Sequence, residues 1–317
     1  MFIAGFRLKA NNGYGRYGQI CIFGEVLFDH FPDKSKVLGG APFNVAWNLQ
    51  AFGQAPCFIS RVGEDHEGHL IQEAMERRGL STGTLQYDPE YRTGQVSIEF
   101  IENEPEYSII EPCAYDFIAP TSETKDILRH CALLYHGTLA LRDPVSAASF
   151  AALQRQHSGK VFLDVNLRTP WWQKKQVLSL IEQADWIKLN AAEAALLFAL
   201  KQEQDVEQEL ITLISKYNLQ GIILTRGAQG AVAATAERKK YTVHPDTTIP
   251  VVDTVGAGDA FASIMILGLH KQWPIETTLQ RAQKFASAVV GQRGATVSDR
   301  GFYDNFICQW KADVITD

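Results

Sequence analysis

The sequence predicts an α/β fold: a three-layer α/β/α domain with a mainly parallel central sheet and a small β-sheet lid. Three observations lead to it. Short, continuous apolar runs alternate with helical segments along most of the chain. Two segments in the first half alternate residue by residue instead, and a glycine-rich turn opens an apolar helix late in the chain. Continuous apolar runs mark strands buried on both faces, as in a helix-covered parallel sheet. Strict alternation marks a sheet with one wet face.

Residues 1–18 carry no periodicity and read as an N-terminal extension ahead of a domain spanning 19–317. Gly13-Tyr14-Gly15-Arg16-Tyr17-Gly18 matches G-x-G-x-x-G, but it precedes a strand. A dinucleotide site needs that pattern between a strand and a helix, where pyrophosphate meets free amides. The first buried strand is expected at Ile20 to Leu27. Asn44 to Phe52 has helical spacing and stops at Gly53; Cys57 to Val62 is the next strand, and a helix through Leu70, Ile71, Ala74 and Met75 closes at Gly79. Further strands are expected near Ala132–Tyr135, Val161–Val165, Trp186–Leu189 and Ile222–Thr225, with helices between them.

Gln95 to Ile101 places Val96, Ile98 and Phe100 against Gln95, Ser97 and Glu99. Tyr107 to Ile110 follows the turn-like Glu102-Asn103-Glu104-Pro105. With residues near Phe31–Val37, these predict a lid whose strands fall within 28–38 and 92–118. A lid covers a ligand and excludes water; an ordinary surface hairpin is the alternative.

The net charge of −6 lacks the concentrated basic face of a nucleic-acid binder. No apolar run approaches a membrane span, and no signal-peptide pattern opens the chain. The five scattered cysteines suggest free thiols, so a cytoplasmic protein is expected.

The chemistry concentrates in Asp253-Thr254-Val255-Gly256-Ala257-Gly258-Asp259-Ala260-Phe261, after a strand-like Ile249–Val252 and before an apolar helix. Glycines let backbone amides approach a phosphate closely, and the helix start adds free N–H groups and a positive dipole end. Together they form an anion hole, with Asp259 placed to take a proton from an attacking hydroxyl. Capping of the helix by Asp259 is the plainer alternative. G-x-x-x-x-G-K-[ST] and G-x-S-x-G are both absent, which argues against a common P-loop and a serine hydrolase. His66 and His69 lack a third ligand at zinc-like spacing.

This loop, together with Leu38-Gly39-Gly40-Ala41-Pro42-Phe43-Asn44-Val45-Ala46, resembles the two signature regions of the ribokinase-like (PfkB) carbohydrate kinases. The likeness runs from about Ile20 to about Ser298 and is strongest to bacterial fructokinases. The resemblance implies a sugar kinase using ATP and Mg2+, with Asp259 as base and Gly256, Ala257 and Gly258 holding the transferring phosphoryl group. It implies sugar binding by Asp29, Gly39, Gly40 and Asn44, and by Arg168 of Asp164-Val165-Asn166-Leu167-Arg168. On the nucleotide side it implies Asn190, Thr225, Gly227 and Gly230, with Glu193 acting on magnesium through water. It also implies a monovalent cation such as K+ near Asp253, Val255, Val289, Gln292, Gly294 and Ser298. Helix capping by Asn44, a solvated strand end at Asp29, a surface ion pair at Arg168 and a simple turn at Thr225–Gly230 are the alternatives. Expected partners are the sugar and ATP, with a second copy through the lid. A kinase of the same family for 2-keto-3-deoxygluconate, ribose or a nucleoside, a non-catalytic sugar-binding regulatory protein of the same fold and a dehydrogenase stand as rivals.

Overall fold

A computed structural model describes residues 18–101, 104–200, 206–246, 248 and 250–313. The glycine pattern at 13–18 therefore lies almost wholly outside the described residues. Strand β1 (Gln19–Phe23) starts the central sheet; β2 (Leu27–His30) and β3 (Lys36–Gly39) leave it for the lid. Helix α1 (Ala41–Ala51), β4 (Cys57–Gly63), α2 (His66–Arg78) and β5 (Leu85–Asp88) follow, then the lid strands β6 (Gly94–Ile101) and β7 (Glu104–Ile109). The chain returns through α3 (Ser122–Arg129), β8 (Cys131–His136), α4 (Pro144–Gln154), β9 (Lys160–Asp164) and α5 (Lys174–Ile181). Next come β10 (Trp186–Asn190), α6 (Ala191–Phe198), α7 (Val206–Tyr217), β11 (Gly221–Thr225), β12 (Ala231–Thr235) and β13 (Lys240–Val243). Helices α8 (Ala257–Lys271), α9 (Ile275–Val290) and α10 (Arg300–Asp313) complete it.

The large sheet runs β13-β12-β11-β10-β9-β8-β1-β4-β5. Its pairings are parallel from β5 to β11, and β12 and β13 add antiparallel at one edge. Both faces are buried. Ile20 and Ile22 of β1 point into a core shared with α1, α8 and α9, whereas Cys21 and Phe23 point into one shared with α4. That is why these strands read as unbroken apolar runs. The smaller sheet, β3-β2-β6-β7, encloses a cluster of Leu27, Val96 and Ile98.

Three sequence expectations change. The apolar run Ile20 to Leu27 is not one strand: β1 stops at Phe23, where Gly24 N–H bonds the Ile59 carbonyl, and Leu27 already belongs to the lid. Both sheets bury it, so hydrophobicity alone does not show the break. The stretch before the glycine loop is not a strand either. Val251 and Val252 are exposed, and the Val252 and Asp253 amides bond to Val290; Ile249 lies outside the described residues. Glu104 and Pro105, expected in a turn, belong to β7.

Candidate active site

A cavity of about 1090 Å³ opens where the parallel strands end. Its walls include Glu25 just past β1, Asp164 closing β9, Asn190 closing β10 and Thr225 closing β11. The chain leaves β1 for β4 on one side and later returns to β8 on the other. The crevice outside such a reversal is where open α/β sheets bind ligands.

Asp259 occupies the third position of α8 and does not cap it; Gly256 holds the cap position. Gly256 has φ 78°, and a Cβ there would come within 2.5 Å of the Ala295 backbone, so the turn demands glycine. The Asp259 carboxyl is enclosed by protein but keeps an opening to the cavity. Asn44 Nδ2 donates to it at 2.8 Å. Asn44 is buried in the first turn of α1, inside the helix and not at its cap, which is Gly40. Gly40 also has no room for a side chain, since a Cβ would lie 2.8 Å from the Glu25 carbonyl. Burial pushes the Asp259 carboxyl up to about 6, aided by neighbouring Asp164, while Asn44, Lys188 and Arg168 hold it back. A carboxylate of that basicity suits proton abstraction near neutral pH.

Asp29 lies within lid strand β2 and faces the same cavity. Burial raises it to about 6, against the pull of Arg168 and His30. Arg168 is exposed to the cavity and forms no ion pair among the described residues, so the surface-pair alternative does not hold. Its charge is left for Asp29, Glu25 and a ligand.

On the far side, Asn190 Oδ1 accepts the Glu193 amide while Glu193 accepts the Asn190 amide, a reciprocal cap on α6. The other Glu193 oxygen accepts the Leu167 amide at 2.9 Å, tying down the loop that carries Arg168. Thr225 to Gly230 joins β11 to antiparallel β12 and lines the cavity, so this segment is both a turn and a wall. Val255, Gly227, Gly230 and Gly39 line it too. Asp253, Val289, Gln292, Gly294 and Ser298 do not line it. Asp253 accepts the Val255 and Gly294 amides at 2.9 and 3.0 Å, which joins two of these loops. The Ser298 carbonyl lies 3.4 Å from an Arg78 nitrogen that donates to it.

Two residues escaped the sequence reading. Glu25 is buried at the cavity wall with one carboxyl oxygen lacking a hydrogen-bond partner, and burial pushes it up to about 7. Lys188 is buried, bonds both oxygens of Asp164 at 2.9 and 3.0 Å, and stands beside Gly258. A lysine inside an apolar strand was the available signal for it.

A model of the pfkB family carbohydrate kinases matches residues 19–300. The chain belongs to this family of carbohydrate kinases. It is 28% identical over 290 residues to Fructokinase-2 of Oryza sativa subsp. japonica, covering 84% of this chain and 85% of that protein. It is 28% identical over 300 residues to a fructokinase of Escherichia coli, covering 87% and 94%. A fructokinase structure from Vibrio cholerae, bound to fructose, ADP and calcium, superposes with a TM-score of 0.77 at 24% identity, covering 92% of this chain and 99% of that one. A Xylella fastidiosa fructokinase with bound ATP gives 0.79 at 19% identity, covering 92% and 99%. Membership of a carbohydrate kinase family fits a glycine-rich loop, a hydrogen-bonded acid and a lid meeting at one cavity.

Proposed function

We propose that this carbohydrate kinase transfers the γ-phosphoryl group of ATP to D-fructose, giving fructose 6-phosphate. The observation that carries it is Asp259, held by Asn44, lining one cavity with lid residue Asp29 and the Gly256–Gly258 loop. Asp29, Gly39, Gly40 and Asn44 hold sugar hydroxyls, which present both donors and acceptors. Asp259 takes the proton of the attacking hydroxyl, and the amides at the start of α8 stabilise the phosphoryl oxygens. Asn190, Thr225, Gly227 and Gly230 face the nucleotide, whose base has an apolar wall in Val251, Ala286 and Val290. The lid keeps water from competing as acceptor.

Magnesium would supply charge neutralisation between phosphates, held chiefly by phosphate oxygens and water, with Glu193 beside them. The Glu193 carboxylate on the cavity wall is a hard oxygen donor of the kind that holds such an ion through its water. A monovalent cation beside Asp253, Val255, Val289, Gln292, Gly294 and Ser298 is part of the same reading, supported by the way Asp253 joins its loops. Free thiols support a cytoplasmic setting. A homodimer through the lid is part of the same reading.

The test is ADP release measured with fructose, ribose, glucose, 2-keto-3-deoxygluconate, adenosine and fructose phosphates. Fructose is expected to give the highest kcat/KM, with fructose 6-phosphate as product. The unpaired Arg168 favours one second reading, an acidic sugar substrate; a preference for 2-keto-3-deoxygluconate would replace fructose with it. No turnover on any member of the set would reject the proposed function.

A further inference from the structure

Glu67 lies in the first turn of α2, in the main domain, and is buried. Three side chains from three different lid strands converge on its carboxylate. His30 Nε2 of β2 lies 3.1 Å from Oε1, Lys36 Nζ of β3 donates at 3.0 Å, and Gln95 Nε2 of β6 donates at 2.8 Å. Burial alone would raise this carboxyl, but the bonds from Gln95 and Lys36 outweigh it and hold Glu67 below its ordinary value.

The registry of the lid connects these contacts to the cavity. His30 and Lys36 pair across β2 and β3. One residue back on β2, Asp29 pairs with Val37 on one side and Val96 on the other. Successive residues of a strand point to opposite faces. Each group on Glu67 therefore sits next in sequence to a group lining the cavity: His30 beside Asp29, Lys36 beside Val37, Gln95 beside Val96. One face of the lid grips the main domain while the other presents Asp29 to the sugar. Asp65, two residues before Glu67, anchors the entry to β6 in the same way, accepting from the Thr93 amide and hydroxyl at 2.8 Å each.

We infer that Glu67 is a positioning residue for phosphoryl transfer: it latches the lid to α2 and so sets where Asp29 stands over the sugar. This rests on the kinase reading for its substrate, not for its geometry. A latch that favours the closed lid lowers the apparent KM for the ligand the lid covers, in inverse proportion to the closed fraction. The nucleotide groups, on the loops at the ends of β10 and β11, lie outside its reach.

The test compares the parent with Glu67→Gln, which keeps the shape and removes the charge. The expected result is a rise of about tenfold in KM for fructose, with KM for ATP within about twofold. ATP hydrolysis without sugar should rise relative to sugar phosphorylation, and amide exchange in β2 and β3 should quicken. A parent-like KM for fructose, or an equal rise in both KM values, would overturn the latch. If circular dichroism shows that Glu67→Gln does not fold, Lys36→Met and Gln95→Leu carry the same readouts from the lid side, and parent-like values in both would overturn it. Should the parent not turn over fructose, the fructose assignment fails by itself; the exchange rates of the variants still decide the latch.

Discussion

Asp164 and Asp259 stand at one cavity in opposite surroundings. Asp164 ends a central strand with Lys188 on both its oxygens and the Tyr135 hydroxyl 3.4 Å away. Asp259 has one neutral donor, Asn44, and no ion pair among the described residues. An ammonium offsets the cost of burying a carboxylate's charge; a carboxylate enclosed without a counter-ion becomes a stronger base. The paired acid therefore serves the floor of the site, and the under-compensated acid is available for chemistry.

The sharpest way to break this contrast is Asp259→Asn. Loss of the base is expected to lower kcat by about 10³-fold while KM for the sugar changes little. The same variant is expected to melt higher at pH 7.5. The folded pKa is raised from 3.8 to about 6, so the protonated acid favours folding below pH ~4, and that contribution is lost as pH rises through ~6. Asparagine removes the cost, worth on the order of 3 kcal/mol at most. A fall in both activity and melting temperature would make Asp259 structural.

Lys188→Met tests the other member. It leaves Asp164 buried without its ammonium, and is expected to cost about 3–5 kcal/mol in denaturant unfolding. Adding Asp164→Leu should recover much of that stability without restoring activity. If Lys188→Met alone leaves stability unchanged, the pair is not what holds the floor.

The smallest effect expected is from Asn44→Ala. Asn44 favours the charged form of Asp259, so its removal should shift the acid limb of kcat/KM to higher pH, with a modest fall at the plateau. In the parent, activity should fall as pH drops below about 6. The fall should be steeper than one proton because Asp29 is raised into the same range. An acid limb that Asn44→Ala leaves in place would assign the limb to Asp29.

Much of the site was legible because its needs are local. Gly256 must have a positive φ and Gly40 must have no side chain, so glycine appears at both positions whatever the rest of the chain does. The lid strand β6 was legible because one of its faces stays polar and the alternation survives. The split of Ile20–Leu27 between two sheets was not, because both sheets bury their share of that run. Glu25 was equally hidden: a glutamate after a strand is ordinary, and only its enclosure and its unpartnered oxygen set it apart.

By itself, the sequence determined the α/β class, the glycine turns and the acid at the start of α8, since each depends on periodicity or on the backbone freedom of neighbouring residues. Tertiary structure decided how the two acids differ. Asp259 and Asp164 are 95 residues apart in the chain, and their partners Asn44 and Lys188 come from other elements. The basicity of a carboxyl depends on what surrounds it in space, and that exists only once the sheet, the helices and the lid have been brought together.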